Sequence, residues 1–197
     1  MMKLSWCVVA CLSLALNPLV AKNAIAQSDR LFMCDSISDS SQFESPSADN
    51  REIQLDSLGV TFNIPENYRT VLQRGNHVSV LEPNGYDYLQ CLMENRVPER
   101  YSILSVEIYQ DELLISEEQL QSETRPFIPQ LHGTALVDGQ EAFIYTADGL
   151  QNRIFVRVNY PDRSASIIVS TDVVEDNWMP HRQEILERIV STLIFDR

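Results

Sequence analysis

Leu58-Gly59-Val60-Thr61-Phe62-Asn63-Ile64-Pro65-Glu66-Asn67-Tyr68 is the stretch that decides the fold. Val60, Phe62 and Ile64 alternate with Thr61 and Asn63, so an extended chain here puts apolar side chains on one face and polar ones on the other. Pro65-Glu66-Asn67 ends that strand, since proline brings no N–H to a ladder. Downstream, residues 69–73 and 77–81 bracket Gly75-Asn76, which predicts a hairpin. Leu104, Val106 and Ile108 alternate with Ser105, Glu107 and Tyr109. Residues 134–137, 142–146, 154–160 and 165–170 read as further strands. The short turns Asp138-Gly139 and Pro161-Asp162-Arg163-Ser164 favour an antiparallel meander.

Three helices fit between and after these strands. Over residues 85–94, Tyr86, Leu89, Leu92 and Met93 share one stripe, and Cys91 falls about 150° from its centre, so it is expected to face outward. Ser116-Glu117-Glu118-Gln119 has capping-box spacing and opens a short second helix. The third covers residues 176–192, with Trp178, Ile185, Leu186, Ile189, Val190 and Leu193 as a wide apolar face. Pro180 is tolerated because it lies in the first turn. Strands followed by a long amphipathic C-terminal helix make an α+β chain.

Upstream, Met1-Met2-Lys3 is a basic start, residues 4–16 are an apolar run, and Ala24-Ile25-Ala26 supplies a small-residue cleavage box. The run is too short to span a bilayer and is broken by Asn17-Pro18. We read residues 1–26 as a signal peptide, so the mature chain is exported and keeps no integral membrane segment. Residues 27–51 read as a polar, turn-rich arm whose apolar cluster is Leu31-Phe32-Met33, and residues 52–197 as a single domain.

Cleavage after Ala26 leaves 171 residues, with 13 arginines against 28 acidic residues, a net charge of −15. No lysine follows Lys22. That excludes a Schiff-base lysine and a phosphate-cradling lysine. The acidity opposes binding to nucleic acid or anionic lipid and suits either solubility or docking on a basic protein surface. Cys7 and Cys11 leave with the signal segment. Cys34 and Cys91 remain, and two cysteines in an exported chain are expected to form one bridge.

Catalytic signatures are sparse. His77, His132 and His181 have no second ligand at metal spacing and read as surface or strand-edge residues, so no metal and no cofactor are expected. The sequence holds no nucleophile elbow, phosphate loop or calcium loop. Asp111-Glu112, Glu117-Glu118 and Glu175-Asp176 stand at expected helix starts, where capping and the helix dipole explain them better than acid–base chemistry. Arg153, Phe155 and Arg157 share one strand face opposite Ile154, Val156 and Val158. That face can bind an acidic or carboxylate group, or its arginines can pair with neighbouring carboxylates. Arg182 projects into the apolar stripe of the third helix, either snorkelling or in a buried ion pair.

Several of these pieces resemble the PsbP-like family, the superfamily of the extrinsic photosystem II protein and of a Ran-binding nucleotide-release factor. The opening stretch from Leu58 to Tyr68 is similar to the family's glycine, alternating strand, proline and aromatic, with Tyr68 where the family usually has tryptophan. Val137-Asp138-Gly139-Gln140-Glu141-Ala142-Phe143-Ile144-Tyr145 resembles its glycine-centred hairpin, and Trp178 through Leu193 its closing helix. The helix carrying Cys91 is not a feature of that family. The resemblance implies an α/β/α sandwich with a central, mostly antiparallel sheet. It also implies a non-enzymatic accessory role in a thylakoid lumen or periplasm, with a protein complex as partner. The family has no shared catalytic residues to carry over. A small-ligand-binding protein and a hydrolase with dispersed catalytic residues are the alternatives.

Overall fold

A computed structural model describes Cys34 and residues 44–73, 75–96, 105–114, 116–118, 128–148, 153–172 and 180–196. The signal segment, most of the arm and Trp178 lie outside the described residues. Ten strands and two helices can be given bounds among those described, and Cys34, Glu117 and Glu118 are also helical. The strands are β1 (Asn50–Leu55), β2 (Val60–Pro65), β3 (Arg69–Leu72), β4 (Val78–Leu81), β5 (Val106–Asp111), β6 (Ile128–Val137), β7 (Gln140–Asp148), β8 (Arg153–Asn159), β9 (Ser166–Asp172) and β10 (Ile194–Phe195). The helices are α1 (Pro83–Glu94) and α2 (Pro180–Thr192).

Within Leu58 to Tyr68, residues Val60–Pro65 form β2, the centre of a three-stranded sheet in the order β1-β2-β10. The other strands form a seven-stranded sheet in the order β3-β4-β5-β9-β8-β7-β6. It consists of two meanders, β3 to β5 and β6 to β9, joined where β9 pairs with β5. Every pairing is antiparallel. The class is therefore α+β with mostly antiparallel sheets. The β6–β7 turn is tight because Asp138 (φ 46°) and Gly139 (φ 77°) both take positive φ, which suits a two-residue hairpin.

The main core lies on one face of the large sheet. Val78, Ile108, Val169 and Val156 line up across four neighbouring strands and are buried. Against them pack Val60, Phe62 and Ile64 of β2 and Ile185, Leu186 and Ile189 of α2, all in one cluster. The alternation of β2 thus does what a half-buried strand requires: it turns a row of side chains inward. β10 closes the small sheet, with Asp196 N–H donating to the Gly59 carbonyl and Phe195 N–H to Asp138.

Two expectations need correction. Helix α1 buries Tyr88 and Leu92, while Met93 is 69% exposed. Its inward stripe is Tyr88, Cys91 and Leu92, at i, i+3 and i+4, packed with Cys34 in a small separate cluster. Cys91 is half-buried there rather than outward, because it is bonded to Cys34 (S–S 2.09 Å) and that tether chooses the face. The arm's last residues, Asn50 and Arg51, belong to β1. The C-terminal helix has 13 residues from Pro180, and the expected start at Asp176 lies outside the described residues.

Candidate functional site

The opposite face of the large sheet carries the charged residues. On β8, Ile154, Val156 and Val158 turn toward the core, so Arg153, Phe155 and Arg157 turn to the second face. The same parity puts Glu107, Tyr109 and Asp111 of β5 and Ser166, Ser170 and Asp172 of β9 beside them. β9 lies between β5 and β8. Both arginines reach across it, a span of about 9–10 Å that the long side chain covers.

Arg153 bridges two carboxylates, with Nη2 at 2.7 Å from Glu107 Oε2 and Nε at 3.0 Å from Asp172 Oδ1. His77 approaches the same Glu107 oxygen at 3.5 Å, and its ring lies 5.0 Å from that of Tyr109. Arg157 is 4% exposed. Its Nη2 lies 2.9 Å from Asp111 Oδ2 and donates to the Leu113 carbonyl at 3.0 Å, and its Nε donates to Ser166 Oγ at 2.8 Å. Phe155 stacks on Tyr145 at 5.1 Å, next to Phe143 and Leu131. The face therefore has a charged half on β5, β9 and β8 and an aromatic half toward β6. Burial raises the Tyr109 phenol above its usual range, so it stays protonated at neutral pH.

A second charged group gathers around Arg182 of α2, with Glu82 ahead of α1, Asp172 at the end of β9 and Tyr68 ahead of β3. Arg182 is buried, 9% exposed. Burial lowers its pKa, opposed first by Glu82 and then by Asp172. Glu82 precedes α1 at the N-cap without a side-chain cap bond, and its pKa is raised by burial and held back by Arg182. Burial also raises Tyr68. Arg182 is thus coupled to carboxylates within the fold.

Chemically, the second face is a set of braces. An anionic ligand at Arg153 or Arg157 has to displace Glu107, Asp172 or Asp111 from guanidinium donors already engaged. No group of three or more His, Cys, Asp or Glu residues fit to hold a metal occurs among the described residues. Reading the sequence located the arginines but not their partners. The alternation of Glu107 with Val106 and Ile108 was a usable signal, but only the strand order says which arginine it meets.

No family model and no curated protein matches the chain. Among solved structures it is similar to the cyanobacterial PsbP, CyanoP, of Synechocystis sp. PCC 6803, at 12% identity and a TM-score of 0.44, over 75% of this chain and 93% of that one. It is similar to the Ran-binding protein Mog1p of Saccharomyces cerevisiae at 12% identity and 0.45, over 76% and 96%. It is also similar to LpqN of Mycobacterium tuberculosis, described as involved in cell envelope biogenesis, at 13% and 0.42, over 84% and 97%.

Proposed function

We propose that this is an exported, non-enzymatic accessory or binding protein of a periplasm or thylakoid lumen, which docks through its acidic exterior on a basic surface of a partner complex. One observation carries this reading: among the described residues most arginines are drawn inward and most acids are left outside. Arg157 and Arg182 are buried, and Arg51, Arg153 and Arg188 are half-buried. Among the described residues the exposed arginines are Arg69, Arg96 and Arg163, against exposed acids that include Glu52, Asp87, Glu112, Glu118, Glu141 and Glu187. An exterior of one sign steers association with a surface of the other. The signal-like segment and the Cys34–Cys91 bridge support export, because disulfides persist in oxidising compartments. No helix among the described residues is long and apolar enough to cross a membrane.

The test is affinity capture of the mature protein from its native envelope or lumen fraction at low and high salt. A partner held at low salt and released at high salt is expected. Turnover of an ester, peptide or glycoside panel by the pure protein, with nothing captured at low salt, overturns the proposal. Arg153→Ala then reports whether the charged face takes part in the contact.

A further inference from the structure

We infer that Leu113 and Leu114 form a preorganised apolar knob that docks into a recess rimmed by arginine or lysine on a partner protein. This deepens the docking reading above by naming its contact point. Leu113 is 63% and Leu114 46% exposed. Among the described residues the other large exposed apolar side chains, Leu72, Met93, Leu136 and Ile194, are single residues within strands or helices. Isolated ones of that kind are ordinary. Leu113 and Leu114 are adjacent and lie beyond the end of β5, where no ladder holds the backbone.

Something else holds it. The Leu113 carbonyl accepts from Arg157 Nη2 at 3.0 Å and from Ser166 Oγ at 2.9 Å. The Leu113 N–H donates to Asp111 Oδ1 at 3.2 Å, and the other oxygen of that carboxylate pairs with Arg157. Both backbone polar groups of Leu113 are thus fixed by side chains of three strands, among them a buried guanidinium and a buried serine. Fixing an exposed apolar residue in this way prepays the ordering cost of binding. In this arrangement Arg157 is a positioning residue, which acts through the Leu113 backbone.

The flanks choose the partner. Glu112 precedes the pair, Glu117 and Glu118 follow within four residues, and all three are exposed. An apolar pair flanked along the chain by exposed acids fits a recess with a basic rim, and it is repelled by an anionic membrane.

The experiment places a diazirine-bearing residue at Leu114, or at Leu136 as a control, in the otherwise intact mature protein, and irradiates it in the native fraction at low salt. Expected is an adduct from position 114 and not from 136, mapped to a partner segment with arginine or lysine beside apolar residues. With that partner purified, the Leu113→Ser/Leu114→Ser variant should bind about 10–100-fold more weakly, as two leucines left in water imply. Its thermal midpoint should stay at the wild-type value, since both side chains are exposed already. Arg157→Met should weaken binding in the same direction. Equal adducts at both positions, an adduct to a second copy of the chain, or binding to phosphatidylglycerol vesicles that the serine variant abolishes each overturns the inference. If wild type and serine variant are captured equally, the knob fails and the acidic docking reading stands. If wild type captures nothing at low salt, both fail.

Discussion

Removing the Cys34–Cys91 bridge should cost the domain stability and loosen α1 first. The perturbation is the double variant Cys34→Ala/Cys91→Ala. The two cysteines are 57 residues apart, and the loop they close contains β1 to β4 and most of α1. For a loop of that length the chain-entropy account gives about 4 kcal/mol of stabilisation, because the unfolded chain loses the freedom to separate its ends. The local argument points the same way. Helix α1 joins the fold through a cluster of Tyr88, Leu92 and the cystine itself, and Glu82 gives it no side-chain cap bond. Truncating both cysteines removes half of the named residues in that cluster. Urea unfolding of the oxidised wild type and of the variant measures the difference. The m-value should rise in the variant, since an uncrosslinked denatured chain exposes more surface. Native-state hydrogen exchange should show α1 amides opening at lower free energy than those of β8 and β9. Unfolding free energies within about 1 kcal/mol of each other, with α1 protection unchanged, would refute the reasoning and show that α1 is held by the sheet alone.

Three further outcomes are expected. Ile189→Ala, at a position of α2 with no exposed surface, should lose about 2–4 kcal/mol by denaturant unfolding; an unchanged midpoint would mean that α2 does not pack on the sheets. Gly59→Ala should lose about 1–2 kcal/mol, because φ is +65° and the new Cβ would lie 2.8 Å from Arg163 Nη2. That guanidinium donates to the Leu58 carbonyl and lies over the Tyr160 ring, so a Cβ that pushes it aside disturbs both contacts; wild-type stability in the variant refutes the expectation. Burial holds the Glu82 pKa above its ordinary range, with Arg182 opposing. The folded chain therefore takes that proton more readily than the unfolded one, and the stability Glu82 contributes is present below the ordinary carboxylate range and lost as pH rises through the folded value. Glu82→Gln should accordingly be more stable than wild type at pH 7 and lose that advantage by pH 4; an equal difference at both values counts against it.

Local periodicity made most strands legible, because a half-buried strand must alternate: β2, the hairpin of β3 and β4, and β8 with its two unlike faces are all visible in single stretches of sequence. The face of α1 was misread because a covalent tether, not apolar periodicity, selects it; Leu92 belongs to both candidate stripes, and Cys91 decides between them. The two-residue β10 is too short for any period. Its place beside β2 rests on contacts from Asp196 to Gly59 and from Phe195 to Asp138, which join distant parts of the chain. The partners of Arg153 and Arg157 were hidden for a similar reason. They depend on β9 lying between β5 and β8, a matter of topology that alternation within one strand does not encode.

The absence of lysine after Lys22 takes on meaning once the arginines are located. Arg153 spans two carboxylates, and Arg157 a carboxylate, a hydroxyl and a carbonyl. Arg51 donates to the Tyr68 carbonyl and Arg163 to that of Leu58. Arg188 ties α2 to Ser47 and Asn50 and pairs with Glu184 one turn back in the same helix. Arg153, Arg157 and Arg188 each use several donors at fixed angles to join separate elements, which a single ammonium on a flexible stem cannot match. Among the described residues most arginines are thus cross-braces of the fold, and most carboxylates face the solvent. The same division of labour that stiffens the sheet leaves an exterior of one sign. At Leu113 the two roles meet: a buried arginine, already braced by Asp111 and Ser166, fixes the backbone of an exposed leucine within an acidic segment.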